Sequence, residues 1–172
     1  MTPPVDLRKL TRCADFSEPD TEEAQLVDEM IERAHAYLSS FKWCSGIREC
    51  YLGDIVIGGV VAVLLFRINP ARPDVDEWLW VVVGDLPPAY LVVDDAPNPA
   101  AALDVYIGEM ERWVDAVKPG DPVDDLIPVE PGGGGDRLEP TAERAAELES
   151  RLRFLDAEIL AHHAADLGDP NS

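Results

Sequence analysis

One carboxylate in this sequence, that of Asp85, is a candidate for catalysis or ligand binding. Asp85 follows a strand-like run, lies next to Gly84 and precedes a Pro-Pro pair. A carboxylate at a strand end could act as a general acid or base, or could bind a polar group of a ligand. It could also form an Asx turn, in which the Asp85 side chain accepts hydrogen bonds from neighbouring backbone N–H groups. The turn explains the residue without further function, so the sequence names no catalytic residue.

Other acidic residues gather in predicted loops and raise the question of a Ca²⁺ or Mg²⁺ site. They lack the spacing of an EF-hand and the glycine that its loop requires. Solvated loop charge is therefore the favoured interpretation, and we expect neither a metal ion nor a cofactor. The acidic residues concerned are Asp74, Asp76, Glu77, Asp94, Asp95, Asp124 and Asp125.

The histidines and cysteines lack the spacing of a reactive centre. His162 and His163 are adjacent, so on a helix they would point about 100° apart and could not both chelate one ion well. The remaining histidine, His35, lies beside the apolar face of a predicted helix. Cys44 and Cys50 precede or enter a predicted strand, where a buried cysteine behaves mostly as a small apolar residue. We expect no Cys–His nucleophile and no metal ligands among these residues.

The charge balance limits the partners. The chain of 172 residues has 34 acidic and 14 basic residues, which gives a net charge of −20. Such a charge repels nucleic-acid phosphates and anionic membrane surfaces. It favours solubility, or docking onto a basic protein partner. We therefore expect binding neither to nucleic acid nor to membranes.

The number of cysteines and the length of the apolar runs indicate the cellular compartment of the protein. The three cysteines, Cys13, Cys44 and Cys50, are an odd number without a C-x-x-C pair, which argues against a disulfide framework and a four-cysteine zinc site. The N-terminal residues lack the apolar stretch of a secretory signal. The longest apolar run, residues 55–66, is too short to cross a bilayer as a helix. The sequence predicts a reduced, soluble, cytoplasmic protein.

Capping residues and apolar spacing predict the helices. Asp20 and Glu23 have the spacing of a capping box, and an apolar face at three- and four-residue spacing follows them. Asn98 is a favourable N-cap, and Pro99 suits the first helical position. The predicted helices span residues 21–39, 99–117 and 141–164.

Four strands are predicted between the first and second helices. Residues 60–66 are apolar at every position, which is typical of a central strand buried on both faces. Gly58-Gly59 indicates a hairpin turn before this run, and Gly53-Asp54 is a competing place for a turn or bulge. Residues 84–88 are too few for a crossover helix, so the strands on either side should be antiparallel or meet at a bent corner. The predicted strands span residues 47–57, 60–68, 77–84 and 89–94.

The order of elements, α-β-β-β-β-α-α, predicts an α+β fold. Strands that cluster in one stretch indicate an antiparallel sheet of about four strands, with helices over one face. Residues 20–165 should form a single domain, with a flexible loop at 119–140. This loop includes the glycine run 132–135, which lacks the Gly-Lys-Ser/Thr ending of a phosphate loop. Residues 1–19 should be a loosely ordered arm, and 166–172 a polar tail.

The aromatic residues offer a candidate binding patch. Trp78 and Trp80 lie on the same face of one predicted strand, since side chains alternate along it. That face either packs under a helix or forms a binding or dimer surface, and the need to dock three helices favours packing. Together with Asp85 and Tyr90, these two tryptophans form the candidate patch.

A W-x-V-x-G-D-L-P-x-x-Y segment carries a family resemblance. The chain resembles an uncharacterised family of small acidic bacterial proteins, a domain of unknown function. The resemblance extends over about residues 48–160, and it implies a shared fold without an assigned activity. The matching residues of the segment are Trp80, Val82, Gly84, Asp85, Leu86, Pro87, Tyr90 and Leu91.

These features favour a non-enzymatic interaction domain. We expect an immunity- or adaptor-like protein that meets a basic partner through charge and an aromatic patch. One alternative is a small-ligand-binding protein or enzyme with a pocket near Asp85 and Tyr90, and Trp80 as one wall. A third hypothesis is a homodimer that uses the aromatic face or an edge of the sheet.

Overall fold

The computed structural model describes residues 4–16, 21–117 and 142–163. The predicted loop at 119–140 and the predicted tail at 166–172 lie outside this part of the chain. Within it, short 3₁₀ turns occur at Leu7–Lys9, Cys13–Asp15 and Val93–Asp95. The main elements are β1 (Thr11–Arg12), α1 (Glu22–Ser39), β2 (Cys44–Ile57), β3 (Val61–Pro70), β4 (Trp78–Gly84), β5 (Leu86–Val92), α2 (Pro99–Val117) and α3 (Ala142–Phe154), followed by a π turn at Leu155–Ile159 and a 3₁₀ turn at Leu160–His163.

The described strands form one sheet in the order β1-β2-β3-β4-β5. Each neighbouring pair is antiparallel. This confirms the α+β class and the antiparallel sheet, with five strands instead of about four. The additional strand, β1, has only two residues, which pair with Tyr51 and Leu52 of β2. A strand of this length has no periodicity that a sequence pattern could reveal.

Helices cover both faces of the sheet, so the prediction that they cover one face is wrong. On one face, Val27, Met30 and Leu38 of α1 pack with Leu64 and Phe66 of β3. On the other face, residues of α2 and α3 pack with the alternate positions of β3 and β4. The apolar run of β3 explains the arrangement. Every residue from 61 to 66 is buried, and a strand that is apolar on both faces needs cover on both.

The connection between β4 and β5 is shorter than predicted. Only Asp85 separates the two strands, and Pro87 and Pro88 belong to β5 instead of to a loop. β5 is the last strand of the described sheet, and its register against β4 shifts at this point, so prolines are tolerated there. Gly84 makes the tight corner possible, since its φ of 151° and its contact with the Val60 carbonyl exclude a Cβ atom.

The helix starts are confirmed in one case and corrected in another. Asn98 caps α2 as predicted, because its Oδ1 accepts a hydrogen bond of 2.8 Å from the N–H of Ala101. The N-cap of α1 is Thr21, whose side chain accepts from the N–H of Ala24 at 3.1 Å. The predicted cap, Asp20, lies outside the described residues. Its predicted partner, Glu23, accepts a hydrogen bond from the N–H of Gly58 in the β2–β3 turn.

Cys13 and Cys50 form a disulfide, which corrects the prediction that the cysteines stay reduced. The odd count allows one pair and one free thiol, and Cys44 is the buried free cysteine. Burial raises the pKa of the Cys44 thiol. Pairing of β1 with β2 brings the Cα atoms of Cys13 and Cys50 to 5.5 Å, a contact between residues far apart in sequence.

Residues 4–16 cross the β2 edge of the sheet. Val5, Leu7 and Leu10 pack with the core on the α2 side. Cys13 and Phe16 pack with the core on the α1 side. This part of the predicted loose arm therefore belongs to both layers.

Among the described helices, none is long and apolar enough to cross a membrane.

Candidate functional site

The four residues of the predicted patch occupy four separate environments. Trp78 and Trp80 lie on the α2 side of the sheet, as their spacing predicted. Tyr90 lies on the α1 side, because it pairs with Val81 instead of with a residue of the tryptophan face. Asp85 lies at the corner between β4 and β5. The fold therefore does not bring these residues together into one patch.

Trp80 is a core residue. Its side chain is 0% exposed, and its indole N–H donates a hydrogen bond of 2.8 Å to the carbonyl of Ala96. The hydroxyl of Tyr106 in α2, in the same core, donates to the carbonyl of Pro87 at 2.6 Å. Burial raises the pKa of Tyr106 and keeps it neutral. These residues hold the α2 layer on the sheet and leave no aromatic surface at Trp80.

Trp78 is half-buried beside a network of charges. The guanidinium of Arg67 lies 5.6 Å from the centre of the Trp78 ring and forms ion pairs with Glu49 and Glu77. The hydroxyl of Tyr51 donates a hydrogen bond to Glu49 at 2.9 Å. The hydrogen bond from Arg67, and then that from Tyr51, lower the pKa of Glu49. Because these charged groups already have partners, we interpret the network as a structural element that supports the end of the sheet and not as a binding site.

Asp85 is exposed and pairs with α3. Its Oδ2 lies 3.3 Å from Nε of Arg151, and its side chain is 71% exposed. The backbone N–H of Asp85 donates to the carbonyl of Val60 at 3.0 Å. The carboxylate thus binds a distant arginine instead of the turn N–H groups that an Asx turn would use. A cavity of about 290 Å³ adjoins the pair, and its walls are Val60, Asp85, Leu86, Ser150, Arg151, Phe154 and Leu155.

Tyr90 belongs to a different cavity, which we call the Trp43 pocket. It has a volume of about 210 Å³ and lies on the α1 side of the sheet, beyond the end of α1. Asp85 does not line it, so the predicted pocket shared by Asp85 and Tyr90 is two separate cavities. The Trp43 pocket is lined by Trp43, Arg72, Asp74, Val75, Asp76, Leu79, Tyr90 and Val92.

Trp43 and Tyr90 form the aromatic wall of the Trp43 pocket, and Phe41 stacks on Trp43 without lining the cavity. The rings of Phe41 and Trp43 are stacked, with centroids 4.8 Å apart, and the Tyr90 ring meets Trp43 at 5.0 Å and 63°. The segment that carries Phe41 and Trp43 follows α1 directly, since the N–H of Phe41 donates to the carbonyl of Leu38, whereas Tyr90 belongs to β5. The carbonyl of Trp43 accepts a hydrogen bond of 2.8 Å from Ala71, which ties the segment to the β3–β4 loop.

Carboxylates line the loop side of the Trp43 pocket. Asp74 and Asp76 are exposed members of the β3–β4 loop. Arg72 forms an ion pair with Asp74 at 3.4 Å, whereas Asp76 forms no ion pair with a described residue. Within the same described part of the chain, neither the indole N–H of Trp43 nor the hydroxyl of Tyr90 has a hydrogen-bond partner. The pocket therefore combines an aromatic wall, a negative rim and polar groups open to a ligand.

Sequence reasoning recognised these components but not their combination. It named Tyr90 for the patch, and for Asp74 and Asp76 it weighed a metal site and favoured solvated loop charge. The hydrogen bond between Ala71 and Trp43 brings the loop to the aromatic residues, and no sequence spacing reveals it. Across residues 4–16, 21–117 and 142–163, no three His, Cys, Asp or Glu side chains are grouped to hold a metal ion.

The chain matches no family model, no curated protein and no solved structure. The resemblance to small acidic bacterial proteins therefore stays a prediction.

Proposed function

We propose that this protein is a non-enzymatic interaction domain, immunity- or adaptor-like, that binds a basic protein partner. The observation that carries the proposal is the Trp43 pocket, in which partly buried aromatic rings lie beside exposed carboxylates. Tryptophan and tyrosine are enriched at protein interfaces because each offers a large apolar area together with a polar tip.

The surroundings of the pocket support binding of a protein. Val92 on β5 lines the pocket and is 37% exposed, which makes it one of the large apolar side chains on the described surface. β5 is the last strand of the described sheet, so the aromatic wall lies at the margin of the layer. An apolar centre with a polar rim is the usual anatomy of a protein interface.

Charge supports a basic partner. The net charge of −20 attracts a cationic protein during diffusional encounter and repels an acidic one. Asp74 and Asp76 place part of that charge beside the aromatic wall, where they would meet the partner directly. Complementary charge thus sets the approach of the partner, and the aromatic rings supply the buried contact.

Site-specific photo-crosslinking tests the proposal. A photoreactive phenylalanine analogue replaces Val92 at the pocket, and the same analogue replaces the exposed Asp104 of α2 as a matched control. Both proteins are irradiated at low salt in a lysate of the encoding organism, and the adducts are identified by mass spectrometry. We expect one net-basic protein to crosslink from position 92 and not from position 104.

Binding by purified proteins completes the test. The identified protein is titrated by calorimetry against the wild type and against Trp43→Leu, which keeps apolar bulk but removes the indole. We expect affinity to fall about tenfold in the variant and to weaken with salt. Equal crosslinking from both positions, no adduct at low salt, or an acidic partner would each overturn the proposal.

The cavity beside Asp85 favours a second candidate function, the binding of a small ligand. Its 290 Å³ is close to the lower limit of ligand pockets, and the Asp85–Arg151 pair offers both charges to a zwitterion. Backbone amide NMR of the protein with a mixture of free amino acids tests this function. Shifts at Leu86 and Arg151 would support it, and unchanged spectra would exclude it.

A further inference from the structure

We infer that the Trp43 pocket is a subsite for one arginine side chain of the partner. This inference rests on the proposed function and specifies the chemistry of the same surface. The rest of the basic partner would lie across the neighbouring acidic exterior, while one guanidinium enters the cavity between the aromatic wall and the loop carboxylates.

The aromatic wall suits a planar cation. Phe41 stacks on Trp43 but does not line the cavity, so Trp43 and Tyr90 supply the aromatic surface that a ligand meets. A guanidinium is planar, stacks on such rings and is attracted by their negative faces. The same chain already uses this contact elsewhere, since the guanidinium of Arg67 lies 5.6 Å from the Trp78 ring centre.

The carboxylates distinguish a cation from other occupants. Arg72 already neutralises Asp74, whereas Asp76 forms no ion pair with a described residue. An arginine that enters the pocket would give Asp76 its partner, in the fork-like geometry that guanidinium and carboxylate share. An anion would be repelled by Asp76, and a purely apolar side chain would bury against the carboxylate without satisfying it.

The size of the pocket also points to a side chain. Its volume of about 210 Å³ is below the range of about 300–1,000 Å³ that is usual for drug-sized ligands. The cavity is thus suited to one long side chain presented by a larger molecule. Such an anchor at the centre of an interface often carries a large share of the binding energy.

Four tryptophan indole signals allow a direct NMR test. The chain contains Trp43, Trp78, Trp80 and Trp113, so three indole N–H signals serve as internal controls for the one at the pocket. The protein is titrated with Nα-acetyl-argininamide, with the isosteric but neutral Nα-acetyl-citrullinamide, and with Nα-acetyl-lysinamide. We expect argininamide to shift the Trp43 signal and the other two probes to shift it several-fold less.

Variants test the two walls separately. Trp43→Leu should weaken argininamide binding about tenfold, read from the backbone amide of Val92, because it removes the cation–π contact. Asp76→Asn should weaken it about threefold, in line with an exposed ion pair. Asp104→Asn removes the same charge from α2 and should leave binding unchanged, and intact Trp80 and Trp113 signals verify folding.

The outcomes separate this inference from the proposed function. Equal shifts with citrullinamide or lysinamide, or equal effects of Asp76→Asn and Asp104→Asn, overturn the arginine subsite. If the crosslinked basic protein depends on Trp43 but argininamide does not shift its indole, the subsite is wrong and the proposed function stands. If argininamide binds at Trp43 and no basic protein is recovered, the pocket is a guanidinium site, but the proposed function fails and with it the assignment to a protein partner.

Discussion

On the α2 side of the sheet, Trp80 and Tyr106 are fully buried in the core, whereas Trp43 and Tyr90 on the α1 side are only partly buried. Both sides use the same two residue types. On the α2 side, the indole of Trp80 and the hydroxyl of Tyr106 each donate to a backbone carbonyl. On the α1 side, the corresponding groups of Trp43 and Tyr90 find no hydrogen-bond partner among the described residues.

The difference separates residues that hold the fold from residues open to a ligand. A buried polar tip without a partner is costly, so a sealed tryptophan or tyrosine must find one within the protein. A partly exposed ring can leave its polar tip and part of its apolar area without a contact within the protein. Trp80 and Tyr106 therefore contribute to stability, and the Trp43 pocket has groups to offer to another molecule. This division between the two sets of residues can be tested by mutation.

The largest expected effect distinguishes Trp80 from Trp43. Trp80→Ala should lower the free energy of unfolding by about 3–5 kcal/mol, since it opens a cavity and leaves the Ala96 carbonyl without its donor. Trp43→Leu should lower it by less than about 1 kcal/mol, because the ring is partly solvated and its bulk is largely retained. Chemical denaturation of the two variants measures both values, and equal losses would contradict the division.

The Cys13–Cys50 disulfide anchors residues 4–16, which pack with the cores on both sides of the sheet. Replacing Cys13 and Cys50 by serine should lower the free energy of unfolding by about 3–4 kcal/mol, as the bond closes a loop with a sequence separation of 37. The Trp43 indole signal should keep its position, because the pocket does not include residues 4–16. A loss below about 1 kcal/mol in chemical denaturation would contradict the expected stabilisation by the disulfide. A displaced Trp43 indole signal would show that the disulfide also affects the pocket.

A smaller effect distinguishes the two tyrosines. Tyr106→Phe should cost about 1–3 kcal/mol of stability, because it leaves the Pro87 carbonyl without its hydrogen bond. Tyr90→Phe removes a hydroxyl that contacts no described donor or acceptor, so it should change stability by less than about 0.5 kcal/mol. Thermal unfolding of this matched pair measures the difference, and a larger loss for Tyr90→Phe would refute the division.

The smallest expected effect concerns pH on the α1 side. His35 meets the edge of Phe66 at 5.2 Å, and burial lowers the pKa of this histidine. The unfolded chain, with a pKa of about 6.5, therefore takes up the proton first as the pH falls. The contribution of His35 to stability is present above about pH 6.5 and is lost as the pH falls through its lower, folded pKa.

Urea denaturation between pH 7.5 and pH 5 measures this dependence. The wild type should lose stability over this interval, and His35→Gln should show a shallower decline, because the residue that releases its proton on folding is absent. An equal slope in both proteins would mean that His35 is not the group responsible.

Local patterns in the sequence account for much of the fold. The Asn98-Pro99 start and the apolar spacing that follows predicted α2 with its observed bounds, Pro99–Val117. The apolar run at 60–66 predicted a central strand, and Gly58-Gly59 predicted the turn before it. Each of these features depends on residues within one element, so neighbouring side chains suffice to specify it.

The predictions that failed depended on contacts between distant residues. The shift of the α1 N-cap from Asp20 to Thr21 is a local exception, whereas Glu23 bonds to the β2–β3 turn, 35 residues along the chain. β3 is buried on both faces, so helices cover both faces of the sheet. The apolar run of β3 is consistent with this arrangement, but the prediction placed all helices over one face. The disulfide likewise depends on the pairing of β1 with β2.

The sequence by itself determined the α+β class, the antiparallel order of the main strands and the strongly acidic character of the chain. Only the tertiary structure decided that Trp80 is sealed, that Asp85 and Tyr90 line different cavities, and that Asp74 and Asp76 lie beside Trp43. The physical reason is that an element's type follows from its own periodicity. A pocket, in contrast, is made where elements meet, through packing and hydrogen bonds that no local pattern specifies.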